Sequence, residues 1–363
     1  MTLRADYLIA GTGPSALMHY LHLKKMGRDV LLVGPDLYGH LKPVVYSEIG
    51  KQVNLLPIFP VIESELWRKL NEEEISENPL TLQKLNLNGA GRQQPKIQNC
   101  YYNYLLQNQQ NSNVPYILSY KQFGDLIFEH QLFELQKKLN RNYNSGRPKF
   151  MKAGFVNGLS PYYRYLKIRE PYPVINEPVQ FIDYPNKALH TKTSTVRYNN
   201  LIYTMPLHHL FDVTRLKKSF ELVSGDAKFL IFFSSKTLPE NHLWYCCNIQ
   251  SNIYRAFVPH KNMIVVQLSR KSWGVKPKMV GSELRNLLNL EGGLFHIDTK
   301  TFPGCYPLDV YGVNEKNELT DFLSSHNFYF SGRFAEWRYI DLHEVDFDQF
   351  TGTMKMAANS ANK

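Results

Sequence analysis

Residues 7–16, YLIAGTGPSA, followed by DVLLVGPD at 29–36, constrain the fold more than any other stretch. A short apolar run ends in two glycines, a helical stretch follows, and a second short apolar run comes next. That order is a strand–turn–helix–strand unit. The expected elements are a strand at 5–10, a helix from Ser15 to Met26 ended by Gly27, and a strand at 29–33. Both strands are apolar without clean alternation, as parallel strands covered on both faces are. Gly11 and Gly13 allow a tight turn and the close approach of backbone to a pyrophosphate. Pro14 and Ser15 open the helix whose N-terminus faces the phosphates, and Ala16 stands at the third small position. Dinucleotide binding is therefore expected. The second strand departs from the pattern, because it ends in Gly34 where an acid normally binds the ribose hydroxyls. Asp36, two residues on, is the candidate to reach the ribose. Gly39 and His40 are candidates for a second approach of this loop to the nucleotide.

The chain has 363 residues, of which 43% are apolar and 20% charged, enough to bury a sizeable core. The formal charge of +10 favours anionic partners. The densest basic stretch, 135–152, reads as a helix end and a loop rather than a nucleic-acid patch, so nucleic acid is a minor alternative prompted by charge alone. No run of eighteen uncharged apolar residues suggests a membrane span. The four cysteines, Cys100, Cys246, Cys247 and Cys305, have neither zinc spacing nor a disulfide framework, which fits a reducing, cytoplasmic setting. Helical patterns are expected at 62–77, 119–140, 281–290 and 345–360. Strands are expected at 178–184, 193–198, 200–206, 229–233, 242–250, 254–259, 263–270 and 327–333. The polar stretch 78–115 reads as a surface loop.

The C-terminal stretch YFSGRFAEWRYIDLHEVD (329–346) resembles the flavin-binding motif of UDP-galactopyranose mutases. The match falls on Gly332, Arg333, Tyr339 and Asp341, with Leu342 in the place of a methionine. A glycine-bearing strand and a C-terminal helix that close over FAD are also shared with the wider amine oxidase-like superfamily. NLIYTMPLHHL (200–210) is similar to the mid-chain piece of that architecture, an apolar strand followed by Thr-x-Pro-Leu. The resemblance implies an α/β chain with a Rossmann-like, glutathione reductase-like FAD-binding domain and an inserted mixed α+β substrate domain. It divides the chain into a discontinuous FAD domain at 1–60, 178–220 and 325–363 and a cap at 61–177 and 221–324. It also implies that Arg255 in YRAFVPHKN and Tyr306 in CYPL, with Tyr339, contact an anionic or diphosphate-bearing substrate.

No Ser-elbow, zinc-protease or paired Cys/His motif is present, and no acid/base residue can be named from the sequence. His208 and His209 are adjacent and, in a strand, face opposite ways. The family's histidine-bearing loop has no counterpart in LKPVVYSEIGKQVN (41–54), and its mobile arginine has only Arg164 and Arg169 as positional candidates. The expectation is two-electron flavin chemistry on a small anionic or nucleotide-linked substrate, with NAD(P)H a candidate reductant. The alternatives are a mutase-like isomerase using reduced FAD on a nucleotide sugar, and a non-catalytic FAD- or nucleotide-binding protein acting through a partner.

Overall fold

The computed structural model describes residues 1–35, 44–50, 174–238, 243–246, 251–308, 313–338 and 345, with the backbone of short strands at 51–53, 83–84 and 154–155. β1 (Thr2–Ala10) alternates in its first half and is buried throughout its last four residues. α1 (Pro14–Lys25) follows, with proline in the first turn, where its missing N–H costs no helix bond. The helix stops where Gly27 turns to φ +71. There the Gly27 N–H bonds the Lys24 carbonyl at 2.8 Å and the Arg28 N–H bonds that of Leu23 at 3.0 Å, a Schellman ending. β2 (Val30–Val33) lies parallel to β1. β3 (Val44–Tyr46) and β4 (Lys51–Val53) form a hairpin, and β5 (Gln83–Lys84) and β6 (Gly154–Phe155) a two-residue pair.

β7 (Val174–Ile175) is parallel to β2. β8 (Phe181–Asp183), β9 (Ala188–His190) and β10 (Thr195–Tyr203) make an antiparallel meander. The sequence suggests separate strands at 193–198 and 200–206, but β10 is continuous. The polar pair that looked like a break is held by β1: Asn199 Nδ2 donates to Asp6 Oδ1 at 2.8 Å, and Asn200 Nδ2 to the Asp6 carbonyl at 3.4 Å. Beyond β10 comes α2 (Leu207–Thr214).

The second sheet contains β11 (Val223–Ser234), β12 (Leu243–Tyr245), β13 (Ile253–His260), β14 (Met263–Leu268) and, after α3 (Pro277–Leu288), β15 (Leu294–Leu308). Its order is β12-β13-β14-β11-β15, antiparallel throughout. β15 was not legible in the sequence, because Pro303 and Gly304 interrupt its pattern. As an edge strand paired only with β11, it accommodates a proline. α4 (Val313–Ser324), also unforeseen, leads into β16 (Phe328–Phe330), which joins the first sheet beside β10.

The first sheet runs β7-β2-β1-β10-β9-β8, with β16 also on β10. β10 thus changes neighbours along its length: residues 195–197 face β9, and residues 201–203 face β16. Its core includes Leu8, Leu201, Tyr203, Phe328 and Trp337. A separate apolar cluster, including Phe232, Val266, Val280 and Leu284, joins α3 to the second sheet. This is a mixed α/β architecture with a parallel-strand sheet. Among the described residues, no helix is long and apolar enough to cross a membrane.

Candidate functional site

Five parallel strands end at one edge of the first sheet, where Ile175 pairs with Val33, Val33 and Tyr203 with Ala10, and Tyr203 with Phe330. The chain turns away from that edge at Gly11, whose N–H donates to the Val33 carbonyl at 2.7 Å. Gly11 has φ +125, and a Cβ there meets the Thr204 hydroxyl. Thr204 is itself fixed, because its N–H and hydroxyl both donate to the Ala10 carbonyl, at 2.8 and 3.1 Å. Gly332 is held similarly, with φ +92 and the Ser15 side chain where its Cβ belongs. These two glycines are required by the protein's own packing.

Gly13 is different. Its backbone is extended, and a Cβ there meets none of the described residues within 4 Å. It is also the N-cap of α1, and no side chain caps the helix. An open glycine before an uncapped helix N-terminus lets an anion come close to backbone amides and the positive end of the helix dipole.

The unexpected Gly34 has a packing cause. It is buried, and a Cβ at this position lies 2.9 Å from Thr12 Cγ2 and 3.0 Å from Thr12 Oγ1. Thr12 therefore excludes an acidic side chain from the end of β2. Thr12 was not singled out from sequence, where its only signal is its place beside a strand end, whereas Thr204 is the threonine of the Thr-x-Pro-Leu stretch that follows β10. Asp36, Gly39, His40, Tyr339 and Asp341 lie outside the described residues, as do Arg164 and Arg169.

A second polar cluster lies on the antiparallel sheet. Arg255 on β13 donates from Nε to Gln267 Oε1 on β14 at 2.7 Å. Gln267 Nε2 donates to the Tyr306 hydroxyl on β15 at 3.0 Å, and Arg255 Nη2 approaches that hydroxyl at 3.4 Å. The structure thus brings together Arg255 and Tyr306 and adds Gln267. That residue was hidden inside the apolar run MIVVQL, every residue of which is buried. Burial raises the Tyr306 phenol, with the Arg255 charge the largest opposing influence and Arg333 a smaller one. Burial pushes the neighbouring Cys305 thiol up to about 12, against Arg333 and then Arg255. Two guanidinium charges, opposed at Cys305 by the Asp226 carboxylate, therefore act on this buried patch.

His208 and His209 lie in α2, not in a strand, because Leu207, Leu210 and Val213 supply a buried helical face. His208 packs edge-on to Trp337, while His209 Nδ1 approaches the Tyr203 hydroxyl at 3.5 Å. Burial lowers the His209 pKa, opposed by Asp212. The described residues contain no group of His, Cys, Asp and Glu suited to a metal ion.

The overall architecture is similar to that of several solved enzymes. An oxidoreductase from Methanosarcina mazei superposes with a TM-score of 0.60 at 11% identity, covering 98% of this chain and 100% of its own. A CLA-producing fatty acid isomerase from P. acnes gives 0.59 at 12%, with 98% of each chain covered. Wild-type putrescine oxidase bound to putrescine gives 0.55 at 10%, covering 98% of this chain and all of its own. The chain shares their fold. No protein-family model matches the sequence, and no curated protein matches it.

Proposed function

We propose that this chain is an FAD-dependent enzyme that carries out two-electron chemistry on a small anionic substrate. The observation that carries the reading is Gly13, open in front of the uncapped N-terminus of α1, while Gly11 and Gly332 are closed by Thr204 and Ser15. That cradle fits a pyrophosphate approached through backbone. The shared fold with an oxidase, an isomerase and an oxidoreductase supports the same assignment. The finer architecture we propose is a glutathione reductase-like FAD domain drawn from 1–60, 178–220 and 325–363, with the remainder as a substrate domain.

When bound, the flavin supplies hydride acceptance and donation. The chain supplies binding and orientation. Gly11 would turn the backbone at the pyrophosphate, Gly13 would let it approach, and the Ser15 end of α1 would offer its dipole. Gly332 and Arg333 close the site from the C-terminal side. On the resemblance, Tyr339 and Asp341 extend that contact, and Asp36, Gly39 and His40 serve the nucleotide end. Arg255 and Tyr306, joined by Gln267, hold the anionic group of the substrate. The paired charges of Arg255 and Arg333 make a diamine such as putrescine a poor ligand here and an anion a good one.

The Arg255–Tyr306 contact also favours a second reading, mutase-like isomerisation of a nucleotide sugar by the reduced protein. The decisive experiment is near-ultraviolet and visible absorption of the purified protein, before and after denaturation and with added FAD. A perturbed flavin spectrum, released as FAD on denaturation, supports the cofactor. Anaerobic reduction by NADPH followed by reoxidation with an acceptor supports redox turnover, whereas conversion of UDP-galactose only by the reduced protein supports the second reading. No bound flavin and no spectral response to FAD overturn both.

A further inference from the structure

The turn 331–338 is the point at which the two sheets and two helices meet. The Ser331 N–H donates to the Tyr203 carbonyl of β10 at 3.0 Å. Its hydroxyl lies 2.6 Å from His19 Nε2, on α1 one turn beyond Ser15, and both residues are buried. Gly332 rests against Ser15. The Phe334 carbonyl accepts from the Leu207 N–H at 3.0 Å and so satisfies the first amide of α2. Trp337 Nε1 donates to the Val223 carbonyl of β11 at 3.0 Å. Within this turn, one side chain sets the shape. Glu336 Oε1 accepts from the Gly332 N–H at 2.9 Å, while the Glu336 N–H donates to the Gly332 carbonyl at 2.9 Å. Its other oxygen is 3.2 Å from Arg338 Nη1.

We infer that Glu336 is the positioning residue of the FAD site, an inference that rests on the reading of that edge as the cofactor site. It clasps Gly332 from both sides and so fixes the direction in which Arg333 leaves the turn. A glycine at φ +92 has wide conformational freedom, and the Glu336 carboxylate adds to the packing of Ser15 a bond that holds it in one state. With the carboxylate removed, the Gly332 amide is released and the close fit to Ser15 loosens, so Arg333 is held only by the remaining backbone bonds, Glu336 N–H to the Gly332 carbonyl at 2.9 Å and Arg338 N–H to the Arg333 carbonyl at 3.1 Å.

The test uses the full chain freed of flavin. FAD affinity is read by quenching of flavin fluorescence, and exchange of the Gly332 amide hydrogen by nuclear magnetic resonance. Glu336→Ala is expected to weaken FAD by about tenfold, the effect of one charge-assisted hydrogen bond. Glu336→Gln retains an acceptor for the Gly332 amide and is expected to stay within about threefold of wild type. Should Glu336→Ala fail to fold, Glu336→Asp replaces it, because its carboxylate is one methylene short of the amide. Exchange at Gly332 is expected to rise in the Ala or Asp variant and stay unchanged in Gln. Wild-type affinity in the Ala or Asp variant, or equal weakening in Gln, overturns the inference. If the wild-type protein binds no FAD, the cofactor reading fails. The exchange measurement then still decides whether Glu336 holds the turn.

Discussion

The parallel sheet offers a ligand its backbone, whereas the antiparallel sheet offers side chains. At the edge of the first sheet, the features that matter are glycines, a helix start, the buried Thr12 and the half-buried Thr204. On the second, an arginine, a glutamine and a tyrosine from three different strands converge. Backbone recognition is encoded by spacing within a few residues. Side-chain recognition depends on how distant strands pair, as when Tyr306 reaches the amide of Gln267, 39 positions away in sequence. On the proposed function, the first would take the phosphates of the cofactor and the second the anionic group of the substrate.

The sharpest way to break this comparison is to add a methyl group where the protein's own packing forbids it. Gly11→Ala meets both a left-handed φ and the Thr204 hydroxyl, and is expected to lose about 2–4 kcal/mol of stability. Thermal or denaturant unfolding of the cofactor-free protein measures this. Gly34→Ala presses on Thr12 without a left-handed φ, so it is expected to cost about 1–3 kcal/mol. Thr12→Ala removes the obstructing atoms, so the double variant should recover most of that loss. Additive losses would show that Thr12 is not what closes the end of β2.

How much of this was legible follows the same division. The βαβ unit and the helix stop at Gly27 were legible because each depends on residues close in sequence, whereas the clash that requires glycine at position 11 comes from the distant Thr204. Arg255 and Tyr306 came from a resemblance, and their contact in the structure does not by itself assign them a role. Gln267 was not legible, because a single amide inside MIVVQL carries no periodic signal. β9 was missed because KALHTK (187–192) is too short and polar to read as a strand, and β15 because Pro303 and Gly304 interrupt its run. Gly34 stood out as an oddity, but its cause, Thr12, requires the turn to be folded.

Changes in the second sheet sharpen the contrast. Gln267→Leu leaves the Arg255 Nε–H and the Tyr306 hydroxyl without their shared amide, at an expected cost of about 1–3 kcal/mol. It should weaken binding of an anionic substrate analogue, tracked by the flavin spectrum, while FAD affinity changes little. An equal loss of FAD affinity would mean that the two regions are not separable.

Alkaline stability isolates one titrating group of the same sheet. The Cys305 thiol titrates near 9 when unfolded and is pushed up to about 12 by burial in the folded chain. Its folded pKa is raised, so the unfolded state loses its proton first and stability falls as pH rises from about 9 toward 12. The slope from this one group is at most about 1.4 kcal/mol per pH unit. Cys305→Ala should flatten that part of the unfolding profile, and an unchanged slope would assign it to other groups.

The most direct test is FAD titration of the cofactor-free wild type and of Gly13→Glu, with thermal unfolding of each. The open space at Gly13 predicts saturable binding by the wild type. It also predicts binding lost in the variant through steric and charge exclusion from the helix N-terminus, with unfolding temperatures that agree closely. Equal FAD affinity in the two proteins, or no binding by the wild type, would contradict the assignment of this edge as the cofactor site.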